Sequence, residues 1–159
     1  MNLAYRLSQW WRLPRSSRYL FWLLLAGLPV VSVSLRLVGF RRTLAIVERI
    51  SHRRHPRSAT AADVAAGHDL ARLCAIAGRH GLFPTTCLRQ ALLVHGLLRR
   101  RGLPPILRLG VRWKDSSPDM HAWVELNGVA LGEPELAHTP FQTLSGKADP
   151  LSHAATPDD

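Results

Sequence analysis

The sequence predicts a chain whose helices come first and whose strands come last. Three observations carry this. Apolar residues recur at helical spacing in successive segments up to Gly102. Beyond Gly102 the period changes to two, with Leu107, Leu109, Val111 and Trp113 alternating with Arg108, Gly110 and Arg112. Asn127-Gly128 then stands between two apolar runs, a strong hairpin signal.

The 159 residues suggest one hydrophobic core, and a composition 47% hydrophobic and 20% charged is that of a globular chain. The net charge of +10 favours an acidic partner, whether a peptide, a nucleic acid or an anionic membrane surface. No nucleic-acid module pattern is present, and no nucleic-acid partner is expected. The two cysteines, Cys74 and Cys87, give neither a disulfide framework nor a zinc spacing. A reducing, intracellular setting follows most simply, with cytoplasmic localisation.

Residues 1–15 are amphipathic and carry Trp10 and Trp11. The segment LFWLLLAGLPVVSVSL (20–35) holds 16 uncharged residues between Arg18 and Arg36, short of the roughly 20 that cross a bilayer. A buried helical pair, contact with a membrane surface, and a secretory signal ending near Ser32-Val33-Ser34 all remain open for it. Ser16 or Ser17 can cap a helix running to about Val38 and bent at Pro29, and Leu44, Val47 and Ile50 mark a second helix over 40–50. The basic, Pro-containing stretch 51–60 reads as a linker.

A helical stripe then begins near Thr60, with Val64, Leu70, Leu73, Cys74 and Ala77 on one face and a stop near Gly81. Cys74 lies inside that stripe as a small buried hydrophobe. In the next helix Thr85 or Thr86 can cap, Gly102 can terminate, and Arg99, Arg100 and Arg101 complement the negative end of the dipole. Cys87 stacks with Ala91, Val94 and Leu98, so it faces the protein body from the first turn, where free N–H groups favour a thiolate. Residues 114–119 read as a loop, 121–126 and 129–133 as further strands, and the tail from Ser145 as disordered.

A nucleophilic cysteine needs a base, and the base needs an orienting group. His121 is the candidate base, since its strand belongs in the sheet with the strand that follows the Cys87 helix. Glu133 is the candidate third member. With a two-residue loop Leu126 faces Val129, and Glu133 points away from His121. With a three-residue loop His121 faces Glu133. A Cys87–His121–Glu133 triad therefore requires the three-residue loop.

The run C-L-x-x-A-L-x-x-x-x-L-L-R-R-R-G (87–102), the strand L-x-L-G-V (107–111) and H-A-W-V-E-x-x-G (121–128) resemble the lasso peptide leader peptidases. These are transglutaminase-like cysteine proteases. The resemblance covers about 60–144, and the apolar, basic helices before it are similar to the front part of the stand-alone form. It implies an α+β fold with the nucleophile helix packed on an antiparallel sheet, a transglutaminase-like or papain-like core. The division it suggests is a helical region over 1–55, a peptidase core over 56–144 and a tail over 145–159.

By the same resemblance the enzyme removes the leader from a ribosomally made precursor, and a partner lactam synthetase closes the freed core amine onto an acidic side chain. A separate leader-recognition protein is implied as a second partner, and no metal or organic cofactor is implied. Carried across, Cys87 is the nucleophile and His121 the general base and acid. Glu133 stands where an Asp is usual, with Asp119 as a rival. Backbone N–H groups near Cys87 would hold the oxyanion, aided by Gln90, and Trp123 would wall the substrate site. Two alternatives remain: another acyl transfer on the same fold, with an amine as acceptor, and a non-catalytic binding module held at a membrane by residues 20–35.

Overall fold

The computed structural model describes residues 15–53, 57–80, 86–114, 117–132 and 142–143. The expectations for residues 1–14, Thr85, Glu133 and the tail from Ser145 lie outside these residues. Three helices are present, α1 (Arg15–Ile50), α2 (Ala61–His80) and α3 (Cys87–Arg100). Four strands follow, β1 (Ile106–Lys114), β2 (Ser117–Leu126), β3 (Val129–Ala130) and β4 (Gln142–Thr143), in the antiparallel order β3-β2-β1-β4. The fold is α+β.

The two helices expected over 16–38 and 40–50 are the two arms of α1. The break falls at Gly39, where φ is 77° and ψ 175°. Ser34 Oγ and Thr43 Oγ1 are hydrogen-bonded at 2.9 Å, whereas a straight helix would separate nine positions by about 13 Å. The chain therefore reverses at Gly39, and the arms form a helical hairpin. Pro29 lies within the first arm. Both arms lie close on α3: a Cβ at Gly27 would meet Leu93 Cδ1 at 2.9 Å, and one at Gly96 would meet Val47 Cγ1 at 2.8 Å.

α2 starts where Thr60 predicts. The Thr60 amide donates to Asp63 Oδ2 (2.9 Å) while the Asp63 amide reaches Thr60 Oγ1 (3.3 Å), a reciprocal cap. Arg57 clasps the same carboxylate through both terminal nitrogens. α3 ends as expected at Gly102, whose N–H donates to Arg99 O (2.8 Å) while Leu103 N–H reaches Leu98 O (3.2 Å), the paired bonds of a Schellman motif.

α3 is the central element and packs against α1, α2, β1 and β2. One core joins Leu24 and Leu28 of α1, Leu70, Cys74 and Ala77 of α2, Val94 and Leu98 of α3, and Val124 and Leu126 of β2. The apolar N-terminal helix thus shares its core with the sheet. Each fully buried leucine here contributes about 2 kcal/mol over an exposed one.

Two expectations about the strands are corrected. The loop over 114–119 is mostly strand, with Lys114 paired to Ser117, Trp113 to Pro118 and Arg112 to Asp119. Pro118 is tolerated because even-numbered residues of β2 turn their amide position away from β1, toward an edge that β3 does not reach. Arg112 Nε also donates to Asp119 Oδ2 across the pair (2.8 Å). The third strand is shorter than 129–133: it ends at Ala130, and Gly132 takes φ 75°. β4 has no counterpart in the sequence reading.

Candidate active site

Cys87 opens α3, preceded by Thr86 in an extended conformation (φ −91°, ψ 158°). Thr86 occupies the capping position, but its side chain makes no capping hydrogen bond. The amides of the first turn are therefore left for other acceptors. Cys87 is half-buried, and its sulfur meets β2 at Ala122.

That meeting follows from strand geometry. Successive residues of a strand point their N–H groups to alternate edges. Leu131 N–H donates to Val124 O (2.9 Å), so even-numbered residues of β2 face β3. β3 is over at Ala130, and the N–H of Ala122 meets the Cys87 sulfur instead.

The thiol of Cys87 is held below the ordinary cysteine range. A hydrogen bond with the His121 side chain is the main cause, burial opposes it, and the backbone N–H groups of Ala122 and Leu88 assist. All three donors favour the thiolate. Cys74 provides the internal contrast. It is fully buried in the core, and burial pushes its thiol up to about 12. The two thiols are thus shifted in opposite directions.

His121 lies on β2 opposite Gly110, and Trp123 is stacked on it, with ring centroids 6.1 Å apart and planes 15° from parallel. The expected common face of these two residues is present. Trp123 is itself fixed, since its Nε1–H donates to Glu125 Oε1 (3.0 Å) and Arg108 Nε donates to Glu125 Oε2 (2.9 Å). A small cavity adjoins the pair, lined by Cys87, Gln90, Ala91, Ala122, Trp123 and Gly132 among others. Gln90 thus reaches the site from the first turn of α3.

The third triad member is where the sequence reading meets its limit. The hairpin has a two-residue loop, with Leu126 paired to Val129 and positive φ at both Asn127 (52°) and Gly128 (76°). Two left-handed residues in succession make the primed turn that suits the strand twist, so Asn-Gly selects the shorter loop. The three-residue loop that a His121–Glu133 pairing required is absent. Glu133 itself lies outside the described residues, three positions past Ala130, where the regular pairing ends. The rival, Asp119, accepts from Arg112.

Sequence reasoning missed the Ala122 amide and the Arg108–Glu125–Trp123 chain. The first follows from where β3 ends. The second was legible as alternating residues with opposite charge on neighbouring strands. Among the described residues no three His, Cys, Asp or Glu side chains converge to hold a metal.

Residues 27–146 match the transglutaminase-like superfamily. The chain belongs to that superfamily. The match runs from the first arm of α1 through β4, so it takes in the hairpin helix as well as Cys87 and His121. No curated protein and no solved structure matches the chain.

Proposed function

We propose that this transglutaminase-like chain is a cysteine peptidase that cleaves the leader from a ribosomally made lasso peptide precursor. The observation that carries the reading is the Cys87 thiol, hydrogen-bonded with His121 at the uncapped start of α3 and drawn below its ordinary pKa. The lasso peptide assignment rests on the motif resemblance over 87–128, whose residues Cys87, His121 and Trp123 meet at this site.

Cys87 Sγ adds to the carbonyl carbon at the leader–core junction. The Cys87 amide at the start of α3 is the donor proposed for the developing oxyanion, with Gln90 lining the adjoining cavity. His121, holding the thiol proton, delivers it to the leaving amine as the C–N bond breaks, which frees the core peptide. The leader remains as a thioester on Cys87. His121 then takes a proton from water, the resulting hydroxide displaces sulfur, and the leader leaves as a carboxylate. The stacked Trp123 limits how far the His121 imidazole can turn. The partners of the reaction are the precursor peptide, a separate leader-recognition protein and a lactam synthetase that consumes the freed amine.

The test is leader release from a precursor encoded beside this gene, in the presence of its recognition protein, followed by mass spectrometry. Cys87→Ala and His121→Ala should abolish release. Unchanged release by Cys87→Ala would return Cys87 to a packing role. Products carrying an added amine in place of water would move the reading to acyl transfer.

A further inference from the structure

The first arm of α1 is apolar on two opposite faces. Leu24, Leu28 and Val31 are buried on one. On the other, Tyr19, Trp22, Ala26, Val30, Val33 and Leu37 recur at spacings of three and four, and all are exposed. The large members of this stripe are 53–77% exposed. Ile46 and Ile50 of the second arm are exposed as well. Only 22% of the most apolar stretch within Tyr19–Ile50 is buried. A helix apolar all round belongs in a core or in lipid, and this one is in a core on one side only.

Charge decides what covers the other side. Residues 15–53 carry seven arginines against a single acidic residue, Glu48. Arg36, Arg41 and Arg42 are exposed around the Gly39 reversal, and among the described residues none of them forms an ion pair. A second copy laid on this stripe would bring two such basic hairpins together and repel. An anionic bilayer meets both the apolar stripe and the arginines, with Tyr19 and Trp22 suited to the headgroup level.

We infer that the α1 hairpin seats the protein on the surface of an anionic membrane. It lies flat rather than crossing, because the face opposite the stripe is committed to the core through Leu24 and Leu28. The stripe from Tyr19 to Leu37 runs about 27 Å along the surface. α3 packs between the hairpin and the sheet, so the lipid lies on the side away from β2 and the half-buried His121. The seating does not depend on the proposed cleavage reaction.

Flotation of the purified full-length protein tests this, using vesicles of phosphatidylcholine alone and of phosphatidylcholine mixed with phosphatidylglycerol. The wild type should float with the mixed vesicles and bind the neutral ones far more weakly. Arg36→Gln/Arg41→Gln/Arg42→Gln should lower the partition into mixed vesicles roughly 100-fold. Val30→Ser/Val33→Ser/Leu37→Ser should lower it about tenfold or more on either vesicle, with an unchanged melting curve. If that variant melts early, quenching by brominated lipid chains takes its place: Trp22→Phe should remove most of the quenching seen in the wild type. Failure of the wild type to float with mixed vesicles would overturn the inference. So would a dimer, measured by sedimentation, that the stripe substitutions dissociate while vesicle binding is absent.

Discussion

The two cysteines should differ sharply in alkylation, and His121 should be the main cause on the Cys87 side. Burial moves the Cys74 thiol from 9.0 to about 12, which cuts its thiolate fraction at neutral pH about 1000-fold. Its side chain is also fully enclosed. Cys87 moves the other way, chiefly through its hydrogen bond with His121. A hydrogen bond to a charged group is worth about 1.5–3 kcal/mol, so His121→Ala should slow alkylation of Cys87 near pH 6 by roughly 10- to 100-fold. The variant's pH curve should also shift upward, because burial still raises the thiol once its main opposing interaction is gone. The assay is iodoacetamide alkylation against pH, read by intact mass and assigned to a cysteine by digestion. One fast adduct at Cys87 and none at Cys74 is the expected wild-type result. A superimposable pH curve for His121→Ala would refute the reasoning, as would comparable labelling of Cys74.

Other consequences are more local. Burial and the nearby Arg99 guanidinium hold the His95 imidazole down to about 4, despite Glu48 Oε1 at 4.0 Å. A folded pKa below the unfolded one means this contribution is complete above about pH 6.5 and is lost as pH falls through about 4. It amounts to roughly 3 kcal/mol and should appear as a steep fall in urea midpoint over that window, absent in His95→Leu. For Cys74 the sign is opposite: its contribution is complete below pH 9.0 and is lost as pH rises toward about 12. Cys74→Ala should flatten the alkaline side of the stability profile. Gly132→Ala should cost about 1–3 kcal/mol, measured by thermal melting, because φ there is 75° and the new Cβ would stand 2.8 Å from Ala71 Cβ. Since Gly132 borders the cavity beside Cys87, its loss should also slow leader release.

The parts of the fold that were legible in the sequence are those with local causes. Gly102 ends α3 because the Schellman bonds need a left-handed residue there, and Asn127-Gly128 makes the hairpin because both residues adopt positive φ. Cys87 and His121 were legible as residue types in the right elements. Their meeting depends on β3 stopping at Ala130, a tertiary event that frees the Ala122 amide.

What misled the reading also has physical reasons. Asp, Ser and Pro over 114–119 look like a loop, yet the ladder continues because Pro118 sits where no amide is needed. β4 is two residues long and carries no periodicity of its own. The hairpin register was open between two and three loop residues, and that single residue decided which face a regularly continued strand would give to Glu133.

In the proposed reaction Cys87 forms the covalent intermediate with His121 as its base. Rapid acid quenching of the enzyme during turnover of its precursor, followed by intact mass, tests it most directly. The wild type should carry a hydroxylamine-labile adduct of leader mass less water on Cys87, and His121→Ala should accumulate none. Leader release by Cys87→Ala, or turnover without any adduct on Cys87, would contradict it.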